Sequence, residues 1–240
     1  MSSECPGLGP AAESLFQVRL SSTQIQAFQT YAAELQNWNQ RVNLTAITDP
    51  KEIEIKHFLD SLSCLLALTP RPGDRVVDVG SGAGFPGIPL RIACPEIRLV
   101  LIESIGKKAD FCRHLVRVLG LDDVEVVQAR AEQLGQDPDY RGRFDWAVAR
   151  AVANLAVLVE YLLPLLRVGG VAIAQKGEAG LSEAQSAGKA LGILGGRLQQ
   201  VVRVELHGVI ETRVLVVIEK VAETPPAYPR RIGLPAKRPL

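Results

Sequence analysis

A glycine-rich segment near residue 80 has the residue types and spacing of a ligand-binding loop. It reads Val76-Val77-Asp78-Val79-Gly80-Ser81-Gly82-Ala83-Gly84-Phe85-Pro86-Gly87. Glycines at alternate positions lack a Cβ, so the backbone can turn tightly and approach a ligand closely. In a doubly wound sheet, the turn after the first strand lies at the strand's carboxyl end, where ligands bind. The segment therefore predicts a site for a nucleotide-like ligand.

Two nucleotide cofactors fit this loop. Residues 82–87 satisfy the GxGxxG signature of dinucleotide-binding proteins, and Glu103 lies 19 residues after Gly84, where a ribose-binding acid is expected. The NAD signature should open where the strand ends, however, and here the chain already turns at Gly80. Asp78 ahead of the alternating glycines fits S-adenosylmethionine better. The simpler roles stay open: a loop-tying carboxylate for Asp78 and a helix cap for Glu103.

Short apolar runs rich in β-branched residues alternate with helical stretches from residue 74 onward. The predicted strands cover residues 75–79, 98–103, 124–128, 144–149 and 171–175. This alternation predicts a parallel sheet that is covered by helices on both faces. Two further strands, 201–206 and 214–218, are separated by only seven residues. Because a parallel crossover needs about a dozen residues or more, we predict that these two strands form an antiparallel hairpin.

Two helices are predicted ahead of this α/β region. Ser21 and Gln24 form a capping-box pair, and an apolar stripe follows from Ile25 to Trp38. The second helix starts at Asp49, an N-cap that is directly followed by proline. We divide the chain into a flexible lead-in (1–20), a helical extension (21–72), an α/β domain (73–221) and a basic, proline-rich tail (222–240).

Composition excludes several classes of protein. Apolar residues make up 47% and charged residues 22% of the 240 residues, so wholesale disorder is excluded. The net charge is +1, and any nucleic-acid surface must therefore be local. The apolar stretch 153–166 contains Glu160 and is shorter than the roughly 20 residues of a membrane-spanning helix. Because the N-terminus also lacks the pattern of a secretion signal, we expect a soluble, cytoplasmic protein.

The cysteines predict neither a metal site nor a disulfide framework. They stand far apart without a CxxC pair, at Cys5, Cys64, Cys94 and Cys112. In a chain of this size they are typical of reduced, buried thiols, and no metal is expected. Cys94 precedes Pro95, as in some cytosine-C5 methyltransferases, but it lies between the first two strands, and we assign it to the core.

The end of the chain is locally basic. Residues 228–240 contain three prolines, no acidic residue and four cations, namely Arg230, Arg231, Lys237 and Arg238. This pattern is typical of a solvated, extended terminus. It is equally typical of an arm that contacts phosphate groups, and the sequence pattern alone leaves both interpretations open.

Five separated blocks carry a resemblance to a known family. They are the segments 37–47, 57–62, 78–87, 150–153 and 228–237, which read NWNQRVNLTAI, HFLDSL, DVGSGAGFPG, RAVA and YPRRIGLPAK. In this order they closely resemble the GidB (RsmG) family, which methylates N7 of one guanine in 16S ribosomal RNA. The resemblance covers residues 25–240, and several of the blocks are not general methyltransferase features.

The resemblance implies a class I S-adenosylmethionine-dependent methyltransferase. Its fold is Rossmann-like, with a helical N-terminal extension and a seven-stranded, mostly parallel sheet that ends in an antiparallel hairpin. The family's cofactor contacts fall on Gly80, Phe85, Glu103, Ser104, Ile105, Ala131, Glu132 and Arg150. With Asp78, Gly82 and Gly84 of the loop pattern, these are the predicted cofactor-binding residues. Phe85 is expected near the methionine arm, and Ala131 and Glu132 beside the adenine.

The chemistry of the implied reaction needs no side-chain acid or base. Guanine N7 carries a lone pair and no proton, so methyl transfer to it requires no general base. The sequence also lacks the Asn/Asp-Pro-Pro-aromatic motif that positions exocyclic amines. We therefore expect catalysis mainly by alignment of the methyl group with N7.

The implied macromolecular partner is 16S ribosomal RNA within a small ribosomal subunit or an assembly intermediate, and no protein partner is evident. The candidate RNA-binding residues form a split basic surface: Arg41, Asn43, Lys56, His57, Lys176, Arg230, Arg231, Lys237 and Arg238. Such a surface predicts salt-sensitive binding. A small-molecule methyltransferase would have no use for the basic tail, and a purely structural assembly factor would not need Glu103.

Overall fold

A seven-stranded sheet forms the centre of the computed structural model, which describes residues 7–206 and 208–240. The strand order is β3-β2-β1-β4-β5-β7-β6. The strands are β1 (Arg75–Val79), β2 (Arg98–Glu103), β3 (Val124–Gln128), β4 (Phe144–Arg150), β5 (Leu166–Lys176), β6 (Gly196–Val204) and β7 (Arg213–Lys220). Strands β1 to β5 are parallel, and β7 pairs antiparallel with both β5 and β6. The predicted α/β class and terminal hairpin are confirmed.

The order of the strands reverses next to β1. The chain proceeds outward through β2 and β3 on one side and through β4 and β5 on the other. This reversal creates a crevice at the carboxyl ends of β1 and β4, where ligands bind in open α/β sheets. The predicted bounds hold for β1, β2 and β3. Strand β6 starts five residues earlier than predicted, because residues 196–200 of this edge strand are mostly exposed and lack an apolar run.

Helices cover both faces of the sheet. They are α1 (Leu8–Phe16), α2 (Ser22–Asn39), α3 (Pro50–Ile53), a π-helical segment (Glu54–Leu59), α4 (Asp60–Leu62), a 3-10 turn (Ser63–Leu66), α5 (Gly87–Ala93), α6 (Gly106–Val118), α7 (Ala131–Leu134), α8 (Leu155–Leu162), α9 (Gly180–Ser186), α10 (Gly188–Leu194) and α11 (Leu234–Lys237). One apolar core lies between the sheet and the elements α1 to α6, and the other between the sheet and α7 to α10. No helix in the described ranges is long and apolar enough to cross a membrane.

The helical extension packs directly on the ligand-binding side of the domain. Ser21 and Gln24 form the predicted capping box at the start of α2, and the Asp49 side chain caps α3. The apolar stripe of α2 buries Phe28 and Tyr31 completely. The Tyr31 hydroxyl donates a hydrogen bond to the Ala83 carbonyl oxygen at 2.6 Å, which attaches the extension to the glycine-rich loop.

Part of the segment 1–20, for which a flexible lead-in was expected, is helical in the structure. Residues 8–16 form helix α1, with Leu8, Ala11, Ala12 and Phe16 buried against the core. These four positions share one helical face, but glycine, proline and small alanines hide the period in the sequence. Cys64, Cys94 and Cys112 are free thiols, whereas Cys5 lies outside the described residues.

Candidate active site

The glycine-rich loop leaves an open face at its centre. Gly80 and Gly84 have φ angles of +74° and +96°, and a Cβ there would lie 2.7 Å from Val152 and 2.6 Å from Ile88. Both positions therefore need glycine for packing. Gly82, with φ +60°, differs, because a Cβ would have no neighbour closer than a backbone oxygen at 4.0 Å. The open space beside Gly82 is where a ligand can contact the loop backbone.

Asp78 holds the two ends of this loop together. It is fully buried, its Oδ2 accepts from the Gly87 N–H at 2.9 Å, and its backbone oxygen accepts from the Ser81 hydroxyl. Its Oδ1 is buried without a hydrogen-bond partner. Burial raises the pKa of Asp78 to about 7. The carboxyl group thus shapes the loop, which is the simpler of the two roles that the sequence left open.

Glu103 connects the glycine-rich loop with the loop after β2. Its Oε2 accepts from the Gly82 N–H at 2.8 Å and its Oε1 from the Ile105 N–H at 2.7 Å. Each oxygen keeps a further lone pair, so the carboxylate can also accept from the two hydroxyls of a ribose. Ser104 is half-buried, while Ile105 exposes 51% of its surface at the rim of the crevice. Glu103 can therefore provide polar contacts to a ribose, and Ile105 offers an apolar surface to a base beside it.

Ala131 and Glu132 follow β3 at the start of α7. Ala131 is buried against the core between the sheet and the helices α7 to α10. Glu132 is also buried, and its Oε1 accepts from the Gly233 N–H at 2.9 Å. The structure therefore assigns Glu132 a contact with the C-terminal segment that the sequence did not suggest.

The ring of Phe85 lies between side chains of the extension and of β4. It stacks on Tyr31 with centroids 5.2 Å apart and on His57 at 4.5 Å. The guanidinium carbon of Arg150 lies 4.7 Å from the Phe85 centroid. Tyr31 was missed by the sequence analysis, which counted it only as one residue of an apolar stripe.

Arg150 is held by a carboxylate of the extension. Its Nη1 donates to Asp60 Oδ2 at 2.9 Å, and its Nη2 lies 3.3 Å from His57 Nδ1. Arg213, at the start of β7, reaches to 3.5 Å from Asp60 Oδ1. Neither Asp60 nor Arg213 was predicted as a site residue. The signal for Asp60 was present, because it lies in the block 57–62 that carries the family resemblance.

A cavity of about 380 Å³ opens beside Arg150 at the carboxyl ends of β4 and β5. This volume lies within the usual range for small-molecule sites. Its polar lining comprises Lys56, His57, Asp60, Ser63, Arg150, Gln175, Lys176 and Arg213. The predicted residues Arg150, Lys56, His57 and Lys176 are therefore brought together in one site, next to the Phe85 ring and the glycine-rich loop.

His57 is neutral and structural in this site. Burial, with a further contribution from the charge of Arg150, lowers its pKa to about 3. Its Nδ1 faces an arginine donor, so the proton is placed on Nε2, which lies 2.8 Å from Thr45 Oγ1. His57 therefore links the loop after α2, the cavity wall and Phe85 without adding charge at neutral pH.

The buried imidazole predicts a measurable pH dependence of stability. Between pH 6.5 and about pH 3, the His57 side chain is protonated in the unfolded chain but stays neutral in the folded chain. Stability therefore falls as the pH drops through this window, by at most roughly 1.4 kcal/mol per pH unit. The His57→Gln variant should lose this part of the slope in denaturant titrations between pH 6 and pH 4. Equal slopes for the two proteins would contradict the assignment.

Sequence similarity to known proteins identifies the family of this chain. The model for GidB, described as rRNA small subunit methyltransferase G, matches residues 24–212. This chain belongs to the GidB family. It is 56% identical over 93% of its length to the ribosomal RNA small subunit methyltransferase G of Roseiflexus castenholzii, covering 94% of that protein. Its identity to the protein of the same name from Desulfitobacterium hafniense is 45%, over 97% of this chain and 96% of the relative.

Solved structures agree on the fold. TrmN from Thermus thermophilus superposes with a TM-score of 0.52 at 24% sequence identity. The match covers 67% of this chain and 48% of TrmN. The expected GidB family and the methyltransferase fold are thus confirmed.

Three of the cations predicted for RNA binding in this GidB chain, Lys56, Lys176 and Arg230, are engaged in ion pairs. Lys56 pairs with Glu52 at 2.7 Å on the surface of the extension. Lys176 pairs with Glu183 at 2.8 Å, and its ammonium also donates to the Ala153 carbonyl oxygen. The cations that stay exposed, without an ion pair to any described residue, are Arg41, Arg231, Lys237 and Arg238, and Asn43 is exposed as well.

The fourth tail cation, Arg230, fixes the C-terminal segment to the domain. Its guanidinium donates to both oxygens of Glu160, at 2.7 to 3.2 Å, and Glu160 is completely buried in α8. Arg141 donates in addition to carbonyl oxygens of Thr224, Pro225 and Tyr228. A solvated, extended terminus is therefore the wrong description of residues 224–235. Arg230, which was predicted for RNA binding, thus has a buried partner within the domain.

The Arg230–Glu160 pair predicts a large effect on stability. Arg230→Met leaves the buried Glu160 without a counter-charge, and we expect the free energy of unfolding to fall by about 3 kcal/mol. Chemical denaturation measures this change. Arg231→Met, at the exposed neighbouring position, is the matched control and should change little. Comparable losses in both variants would show that Arg230 has no special structural role.

Proposed function

We propose that this chain transfers the methyl group of S-adenosylmethionine to N7 of a guanine in 16S ribosomal RNA. The observation that carries the proposal is Glu103, whose carboxylate joins Gly82 and Ile105 at the crevice of a GidB-family chain. A ribose-binding acid beside an open glycine-rich loop is the arrangement that a nucleoside cofactor needs.

The residues present fit S-adenosylmethionine. The open face of Gly82 admits the ligand to the loop backbone, Glu103 can accept from the ribose, and Ile105 offers an apolar surface to the adenine. Phe85 and Arg150 lie on the side of the loop toward the cavity, where the methionine part would extend. When bound, S-adenosylmethionine supplies a methyl group whose bond to sulfur breaks, the electron pair staying on sulfur, as guanine N7 attacks.

The chain's own contribution to this step is positioning and electrostatics. No proton leaves N7, so no residue has to act as a base. The methylated purine carries a positive charge, and the neutral His57 ring adds no repulsion to it. Asp60 offsets the charge of Arg150 at the same place. Holding the methyl carbon and N7 in line is then the main source of rate acceleration.

A small ribosomal subunit or an assembly intermediate is the substrate form that we propose. The exposed tail cations Arg231, Lys237 and Arg238 can contact RNA phosphates, which position an RNA without reading its sequence. A guanine in a loop can be unstacked at a cost of only a few kcal/mol and placed in a pocket. The basic tail can thus help to hold a folded RNA on the chain.

Transfer of labelled methyl groups tests the proposal. The chain is incubated with labelled S-adenosylmethionine and small-subunit particles that lack the modification, with bulk transfer RNA as the control. We expect label in 7-methylguanosine from 16S ribosomal RNA only. Label in another nucleoside, or in the transfer RNA, would contradict the proposed substrate.

A further inference from the structure

We propose that Asp60 is the specificity-determining residue of the cavity and recognises guanine by accepting hydrogen bonds from its N1–H and N2 amino groups. This inference rests on the proposed function, because it assigns the cavity beside Arg150 to the target base. Three observations support it: Asp60 is the only carboxylate among the described residues that line the cavity, it has unfilled hydrogen-bonding capacity, and its position is fixed.

The chemistry of the reaction restricts how guanine can be recognised. Proteins usually identify guanine with an arginine that donates to N7 and O6. An enzyme that methylates N7 cannot use this contact, because the donor would occupy the lone pair that must attack. The remaining distinctive groups are the N1–H and N2 donors of the Watson–Crick edge, by which extruded bases are commonly recognised. Recognition of these donors requires an acceptor, ideally a carboxylate with two oxygens.

Asp60 is the only carboxylate among the described residues that line the cavity. The other charged lining groups are the cations Lys56, Arg150, Lys176 and Arg213, which have no acceptor to offer. Adenine presents an acceptor at N1 and no amino group at C2. A carboxylate at this place therefore favours guanine over adenine.

Asp60 retains the capacity to accept these bonds. Its Oδ2 accepts from Arg150 Nη1 at 2.9 Å, whereas its Oδ1 accepts no hydrogen bond from the described residues and lies 3.5 Å from Arg213 Nε, which is an ionic contact. Arg150 and Arg213 place two positive charges beside the buried Asp60 carboxylate. A base that enters the cavity thus meets an acceptor whose Oδ1 is free of hydrogen bonds from the described residues.

The position of Asp60 is fixed by its surroundings. Gln175, at the end of β5, donates from Nε2 to the Asp60 backbone oxygen at 2.6 Å and is itself buried. The Asp60 residue follows the π-helical segment 54–59, a helix form that is frequent at functional sites. A rigid acceptor discriminates better than a mobile one, because it cannot move to suit the wrong base.

The test compares guanosine with inosine at the target position of reconstituted small subunits. Inosine lacks only the N2 amino group and keeps N7. For the unmodified chain we expect kcat/KM to be about tenfold to a hundredfold higher with guanosine, the usual effect of one charge-assisted hydrogen bond. For Asp60→Asn the guanosine rate should fall, and the preference should shrink to within about threefold. Thermal unfolding and equilibrium binding of S-adenosylmethionine, measured on both proteins, show whether the variant folds and still binds the cofactor.

Glu52→Gln is the matched control, because it removes one negative charge beside the cavity cation Lys56 without changing the lining. It should keep the full preference for guanosine. Equal rates on guanosine and inosine for the unmodified chain would overturn the inference even if Asp60→Asn did not fold. An equal loss on both substrates in Asp60→Asn would also overturn it and leave Asp60 as a mere anchor of Arg150. No transfer to guanosine by the unmodified chain would contradict the proposed function itself.

Discussion

Glu103→Ala is expected to weaken S-adenosylmethionine binding by roughly a hundredfold or more and to remove methyl transfer with it. The substitution deletes an acceptor for both ribose hydroxyls, and each charge-assisted hydrogen bond contributes roughly 1.5 to 3 kcal/mol. It also frees the N–H groups of Gly82 and Ile105, which the carboxylate now holds at 2.8 and 2.7 Å. The open loop would thus lose both its ligand contact and its alignment. Isothermal titration with S-adenosylmethionine measures the effect.

Glu96→Ala is the matched control for this prediction. Glu96 is an exposed acid at the opposite, amino end of β2, and its side chain makes no hydrogen bond to the described residues. Its removal should leave cofactor affinity unchanged. If Glu103→Ala bound the cofactor as tightly as Glu96→Ala, the carboxylate would be only a link between two loops, and the proposed ribose site would be wrong.

Neutralising the exposed tail cations is expected to have the second large effect, on the RNA instead of the cofactor. The triple change Arg231→Gln, Lys237→Gln and Arg238→Gln removes three positive charges that make no ion pair with the described residues. Each lost phosphate contact should reduce the slope of log affinity against log salt by about 0.7 to 0.9. We therefore expect a slope smaller by about 2 and an affinity for small-subunit RNA reduced about tenfold or more at low salt. Cofactor binding should not change.

The control for the tail variant is a second triple variant that loses the same number of positive charges at positions outside the tail. Arg71 and Arg98 lie at the amino ends of β1 and β2, Arg117 lies in the last turn of α6, and all three are exposed. Their replacement by glutamine also removes three positive charges. If the RNA affinity of both triple variants fell by the same factor, the RNA would be attracted by the overall charge of the chain, and the tail would make no specific contact with it. An unchanged salt slope in the tail variant would exclude phosphate contacts at these three positions.

Much of the fold was predictable because local patterns agreed with the tertiary structure. The bounds of β1, β2 and β3 follow from buried β-branched runs, and the short connection between the last two strands required an antiparallel pair. The caps Ser21 and Asp49 act locally and were therefore visible in the sequence. Helix α1 was missed because its stability comes from packing on the core, whereas glycine and proline dominate its local signal.

The site was predictable only where a motif carried the chemistry. The glycine-rich loop and Glu103 have a spacing that indicates a nucleoside site, and the structure connects them directly. Asp60 and Arg213 are 153 positions apart in the chain, and only the folded sheet brings them to 3.5 Å. The burial of Glu160 likewise could not be read from an apolar stretch, so the ion pair that anchors Arg230 was hidden. Contacts between distant segments depend on the whole core and leave no local pattern.

Mapping the methyl group within the RNA tests the central claim most directly. A 7-methylguanosine can be cleaved chemically at the modified nucleotide, and primer extension then gives its position. Small subunits treated with the chain and S-adenosylmethionine should show one break in 16S ribosomal RNA, at a guanine, and particles treated with Glu103→Ala should show none. Breaks at many guanines, or none despite incorporation of label, would contradict a single N7 target and with it the proposed function.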